Sequence, residues 1–215
     1  PYLAVLVTGS DVDGTVDRFQ ITALPANGTL YLDASLTTAA VVGVDYAATS
    51  QSLMLYFAPN PNWNGTTTFQ YAAKDAQGAI DATPATATIT ANPVNDPPSI
   101  TANALTIAEG GTVVLSAANV GTNDIDNTPV QLTYTVTGLS GGQFELVAAP
   151  GTSITTFTQA QINSGAVRFV HNGNEAAPAY SLTVSDGALG HGPQAATITF
   201  TNVNDPPAVT ANALT

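Results

Sequence analysis

Residues 94–106 read Val94-Asn95-Asp96-Pro97-Pro98-Ser99-Ile100-Thr101-Ala102-Asn103-Ala104-Leu105-Thr106. They return as Val203-Asn204-Asp205-Pro206-Pro207-Ala208-Val209-Thr210-Ala211-Asn212-Ala213-Leu214-Thr215, with eleven of thirteen positions identical at an offset of 109. A period of roughly 100 residues is the length of one Ig-like sandwich. Each copy follows a strand-like run, residues 86–90 and 197–201. The Pro-Pro pair stops that strand from continuing and stiffens the junction. The sequence thus divides into 1–96, 97–205 and, at 206–215, the opening strand of a third unit. Aligning Asp11 with Asp124 sets Pro1 against Val114, so the first unit is expected to lack its own opening strand. The ends read as if cut from a longer chain.

Between the junctions, short β-branched or alternating runs sit among turn signals. In the first unit they are residues 3–8, 19–24, 29–32, 53–57, 67–73 and 85–90; in the second, 113–117, 131–137, 143–147, 167–170, 180–184 and 196–201. The turns carry Asn27-Gly28, Asn64-Gly65, Gly141-Gly142, Asn172-Gly173 and Asp186-Gly187. Several short strands without a helical period predict an all-β chain of two tandem Ig-like Greek-key sandwiches joined by Asn-Asp-Pro-Pro. Residues 158–163 can form one helical turn.

Composition narrows the function. The chain has 215 residues, 15 acids against 3 bases, and a net charge of −12. Apolar residues make up 44%, enough for a packed core rather than a disordered polyelectrolyte. Arg18, Lys74 and Arg168 are too few to neutralise a run of phosphates or hold an anionic membrane. With no cysteine, disulfides, thiolate metal sites and cysteine nucleophiles are excluded. Nothing approaches the roughly 18 apolar residues of a spanning helix, and no signal-peptide pattern is present.

The acids recur at matched places. Asp11-Val12-Asp13-Gly14 and Asp124-Ile125-Asp126-Asn127 each lie between the first two strands of a unit, and Asp75 and Asp186 each follow the strand before the last. In an Ig-like sandwich those two loops share one end. That end of the second unit collects Asp124, Asp126 and Asp186, and the chain enters it through Asn95 and Asp96. Taken singly, Asp-x-Asp-Gly and Ser-Asp-Gly read as Asx turns. Their recurrence beside the junction, in a chain with too few cations to pair them, points to a hard divalent cation. Calcium takes about 6–8 oxygens from carboxylates, amide and backbone carbonyls and water.

With residues 57–69 (FAPNPNWNGTTTF), the Asp75 loop and Val-Asn-Asp-Pro-Pro, these motifs resemble the cadherin-like tandem repeats of giant bacterial surface proteins. Ala108-Glu109-Gly110-Gly111-Thr112, Phe157-Thr158-Gln159-Ala160-Gln161-Ile162, Val167-Arg168-Phe169-Val170-His171-Asn172-Gly173 and Val184-Ser185-Asp186-Gly187 resemble the chondroitin sulfate proteoglycan type of cadherin-like repeat. The resemblance implies calcium between consecutive repeats, held in the first junction by Asn95, Asp96, Asp124, Asp126 and Asp186. It assigns Glu109, Asn204 and Asp205 to a second junction, and Asp11, Asp13 and Asp75 to the upstream end of the first unit. The junction is poorer in acids than a cadherin linker, which implies fewer or weaker sites.

Other chemistry is thinly represented. Asp75 and Asp186 lack a second carboxylate for glycoside hydrolysis that is not already a calcium candidate. Ser153, Ser181 and Ser185 lack a base, His171 reads as a turn residue and His191 as solvated, so no enzyme is expected. Trp63 reads as an anchor beneath a turn rather than a sugar platform. Two functions remain: an extracellular, calcium-rigidified spacer projecting distal binding modules, or a carbohydrate- or protein-binding module acting through its loops. The expected partners are neighbouring repeats, with a surface protein or glycan as ligand. The chain is expected to be a monomer with weak head-to-tail contacts.

Overall fold

The computed structural model describes residues 1–207; the expected third-unit strand therefore lies mostly outside the described residues. The chain divides into two compact units after Val94.

The first unit runs β1 (Leu3–Thr8), β2 (Val16–Ala23), β3 (Gly28–Tyr31), β4 (Asp45–Ala47), β5 (Ser52–Pro59), β6 (Gly65–Asp75) and β7 (Ala85–Ala91). One sheet has the order β1-β5-β3 and the other β4-β2-β6-β7, all antiparallel. Period-two alternation turns Phe19 and Ile21 of β2, Leu55 and Phe57 of β5 and Phe69 of β6 into one core. Trp63 packs edge-to-face on Phe57, ring centroids 6.1 Å apart, which is the anchoring role its turn predicted. The short β4 is held from outside: Lys74 Nζ lies 2.6 Å from Asp45 Oδ2, and Gln20 Nε2 donates to Asp45 Oδ1.

The second unit runs β8 (Ser99–Ala108), β9 (Thr112–Val114), β10 (Val120–Asn123), β11 (Thr133–Ser140), β12 (Gly142–Leu146), β13 (Ser153–Ile154), β14 (Thr156–Thr158), α1 (Gln159–Asn163), β15 (Val167–His171), β16 (Ala179–Ser185), β17 (Gly190–Ala195) and β18 (Thr197–Thr201). Its sheet β14-β11-β16-β17 repeats the order of β4-β2-β6-β7, and β9-β15-β12 that of β1-β5-β3, with the two-residue β13 added at the edge. A third ribbon, β10-β8-β18, brings β8 parallel to β18. The one-turn helix is closed by a capping box between Thr158 and Gln161. Phe144, Phe157, Phe169 and Tyr180 form the aromatic centre of a second, separate core.

Glu145 on β12 is 2% exposed. Its Oε1 lies 2.6 Å from both Nε and Nη2 of Arg168, while Oε2 accepts from Gln143 Nε2 at 2.9 Å and Gly151 N at 2.7 Å. Gln143 first, then the Gly151 N–H and Arg168, outweigh burial and hold its carboxyl below the usual glutamate range. A depressed folded value gives stability that is full above the unfolded pKa and vanishes as pH falls through the folded one. Glu145→Gln should therefore lower the melting temperature at pH 7, and the gap to wild type should close as the pH falls below about 4. A gap that stays constant across a thermal-melt series from pH 7 to pH 2 would show that ionisation contributes nothing.

Candidate metal centre

The matched Asp-x-Asp loops form the same turn in both units. Asp11 Oδ1 accepts from Asp13 N at 3.2 Å. Asp124 Oδ1 accepts from Asp126 N at 2.8 Å and Asn127 N at 2.9 Å. The Asx turn uses only one oxygen of each carboxylate, so it leaves the other for a ligand. In the second unit that atom, Asp124 Oδ2, is buried and has no hydrogen-bond partner, as is Asn127 Oδ1. Buried oxygens left unpaired are costly unless something electropositive meets them.

The junction residues close on these loops. Asn95 Nδ2 donates to Asp186 Oδ2 at 2.7 Å, and Asp96 N donates to Asp126 Oδ2 at 2.7 Å. Asp186 Oδ1 accepts from Ala188 N and Leu189 N, both at 2.6 Å. The Asn95 amide and then those N–H groups hold the Asp186 carboxyl below its ordinary range. The junction thus touches Asp126 through the backbone of Asp96, not through its carboxylate. In the first unit, Asp11 and Asp75 line one depression of about 240 Å³ with Asp81, while Asp13 is not among its lining residues. Asp75 Oδ1 accepts from Ala79 N at 2.8 Å.

The other end of the second unit gathers a tighter group. Ligand oxygens of Glu109, Glu175 and Asp205 lie within 4.8 Å of one another, the one such group of three or more among the described residues. Glu109 follows β8, Glu175 follows β15, and Asp205 follows β18. Val203 N donates to Glu109 Oε2 at 3.0 Å, and Asn202 Nδ2 donates to Glu175 Oε2. Asn204 turns its amide to the carbonyl of Asp205. Glu109 and Asp205 were predicted together; Glu175 was not. It lies six residues after Phe169, as Trp63 lies six after Phe57, so a search for recurring acids passes over it.

No protein cation serves this group. Arg18 contacts Asp17 and Asp45, Lys74 contacts Asp45, and Arg168 is held by Glu145. The donors at both ends are hard oxygens, mostly carboxylates, in a form that fits a hard divalent cation and not a soft transition metal.

Fold and site together define a β-sandwich repeat with acidic ends. Residues 98–200, most of the second unit, match the Cadherin-like family model. Chondroitin sulfate proteoglycan 4 of Mus musculus is 41% identical over 107 residues, covering 49% of this chain and 5% of that protein. Extracellular matrix organizing protein FRAS1 of Homo sapiens is 35% identical over 95 residues, covering 42% of this chain and 2% of its own. The chain thus spans a small fraction of these relatives' length. Among solved structures, the fibronectin(III)-like modules of Clostridium thermocellum CbhA show 9% identity and a TM-score of 0.30, covering 97% of this chain and 91% of theirs. Among the described residues no helix is long and apolar enough to cross a membrane.

Proposed function

We propose that the chain is a non-enzymatic spacer segment of a large extracellular surface protein of the bacterial adhesin type, built of cadherin-like repeats that calcium rigidifies at their ends. The observation that carries this reading is the Glu109, Glu175 and Asp205 group, whose oxygens converge within 4.8 Å while all three basic side chains are engaged elsewhere. Three carboxylates so close repel strongly unless a cation lies among them. At the other end, Asp124 and Asp126 would hold a cation with Asp186 and Asn95. FRAS1, named as an extracellular matrix organizing protein, supports the extracellular setting. Trp63 is packed on Phe57 rather than offered as a platform, which favours the spacer over a sugar-binding module.

Calcium bound by the folded repeats should stabilise them by mass action, about 2.7 kcal/mol at a hundredfold excess over Kd. Isothermal titration should show calcium binding that Asp124→Asn and Glu175→Gln each weaken by about 10–100-fold or more, as loss of a ligand should cost no less than loss of an outer-shell partner. Asp17→Asn, at an exposed ion pair, should bind like wild type. Asp33 and Asp45 are poorer controls, because Asp33 accepts from Thr37 N and Thr38 N and Asp45 holds Lys74. Small-angle scattering should show a larger spread of conformations in chelator than in calcium. Absence of calcium heat, or equal affinity in all four proteins, would overturn the reading.

A further inference from the structure

Three Asn-Gly pairs occur in the chain, at 27–28, 64–65 and 172–173. In such a pair the glycine nitrogen has no neighbouring side chain to block its approach to the asparagine amide carbon. Gly28 opens β3 opposite Pro59, and Gly65 opens β6 opposite Ala91. A Cβ on Gly28 would overlap the Phe57 ring, so that backbone is held tightly. Gly173 lies in no strand, and Asn172 and Gly173 are both exposed.

The residue before it sets the third pair apart. His171 is 3% exposed, and its Nδ1 accepts from Gly173 N at 3.1 Å. Its Nε2 lies 3.1 Å from the carbonyl oxygen of Ala176, which only accepts, so Nε2 carries the ring hydrogen and Nδ1 is a bare base. Gly110 N, also 3.1 Å from Nδ1, and the Phe200 ring, 5.0 Å away, hold the imidazole in place. A neutral imidazole within about 3 Å of a proton meets the geometric condition for a general base. The electrophile is prepared as well. Asn172 Oδ1 accepts from Asn174 N at 3.2 Å, which draws electrons from Cγ, and Asn172 N donates to Gly141 O at 3.1 Å, which fixes the backbone. The chain's other imidazole, His191, also belongs to the second unit and accepts from Ile100 N, so the two pairs of the first unit have no such base in their own unit.

We propose that Asn172 is a self-modification site, converted to aspartate and isoaspartate with His171 as the general base. The Gly173 N–H proton passes to His171 Nδ1 as the nitrogen attacks Asn172 Cγ. The bond from Gly173 N to Cγ forms, the bond from Cγ to Nδ2 breaks, and the proton leaves with Nδ2 as ammonia. Solvent water then opens the cyclic imide at either of its carbonyls. The net change is amide plus water to acid plus ammonia, with nothing oxidised or reduced. Aspartate adds a negative charge, and isoaspartate also lengthens the backbone by a carbon. Both changes fall in the loop that carries Glu175. The reaction needs no bound cation.

Peptide mapping by mass spectrometry of the full chain, aged at neutral pH in chelator, tests it. Folded and guanidinium-unfolded samples are compared, with conversion at each asparagine read from the amide-to-acid mass gain and isoaspartate from its backbone fragmentation. Unfolded, the three Asn-Gly pairs should react at similar rates. Folded, Asn27 and Asn64 should slow below the unfolded rate, whereas Asn172 should exceed it by about tenfold or more, a modest share of what general-base assistance supplies. His171→Gln keeps a carbonyl acceptor for the Gly173 N–H but cannot take its proton, so conversion at position 172 should fall to the unfolded rate or below. The folded-to-unfolded ratio of the wild type is decisive even where that variant fails to fold. A folded Asn172 that reacts no faster than the unfolded one, or a rate that survives His171→Gln in folded protein, would overturn the proposal.

Discussion

Phe144→Ala should unfold the second unit at much lower denaturant while leaving the first unit's transition in place. Phe144 is fully buried, and its ring meets three others: Phe157 at 5.4 Å, Phe169 at 5.2 Å and Tyr180 at 4.9 Å between centroids. Two of these contacts are edge-to-face, at 84° and 86°, the arrangement that sets positive ring edges against negative faces. A truncation here removes the ring's transfer energy and leaves a cavity walled by rigid aromatics that collapse poorly. The cost should be about 3–5 kcal/mol, a large share of the roughly 5–15 kcal/mol that holds a domain folded. The cores of the two units contain no common residue, so the loss should stay local. Urea unfolding followed by near-ultraviolet signals of the tyrosines and Trp63 separates the two transitions. Trp63 packs against the first core and should report no change; a matching drop at Trp63 would mean that the units unfold as one.

Strands with strong alternation were legible from the sequence. Residues 3–8 form β1 as expected, and residues 167–170 lie in β15. The three-residue β4 gave no signal, because it is held by Gln20 of β2 and Lys74 of β6 rather than by its own pattern. β17 was hidden by its composition: Gly190-His191-Gly192-Pro193 reads as a loop, yet it pairs along β16 with a register shift between Leu182 and Val184. The acidic loops were legible because they recur. Glu175 does not recur, and only folding brings it beside Glu109 and Asp205. His171 was misread as a turn residue for a similar reason: it ends a strand next to Asn172-Gly173, and its sequence position gives no hint that it is 3% exposed and joined to the distant Gly110 turn as well as to the loop that follows it.

His171→Ala should weaken the second unit and its acidic end together. The ring's Nδ1 accepts from Gly110 N and Gly173 N, both at 3.1 Å, and its Nε2 lies 3.1 Å from the carbonyl oxygen of Ala176. A carbonyl only accepts, so Nε2 carries the hydrogen and Nδ1 is the bare acceptor of both N–H groups. One imidazole thus satisfies three backbone groups, in the residues next to Glu109 and Glu175, while its face lies 5.0 Å from the Phe200 ring. Alanine leaves those groups without partners. At about 1–3 kcal/mol for each one that stays dry, and less for those that water reaches, the net loss should be about 2–4 kcal/mol. His171→Asn returns an acceptor near the position of Nδ1 but not the donor to Ala176, so it should recover part of the stability. Calcium titration separates packing from positioning. If the ring sets the distance between the two glutamates, His171→Ala in folded protein should weaken binding about tenfold or more, with partial recovery in His171→Asn and no added loss when combined with Glu175→Gln. Undiminished affinity in a destabilised variant would mean that the contacts from Val203 and Asn202 hold the carboxylates without it.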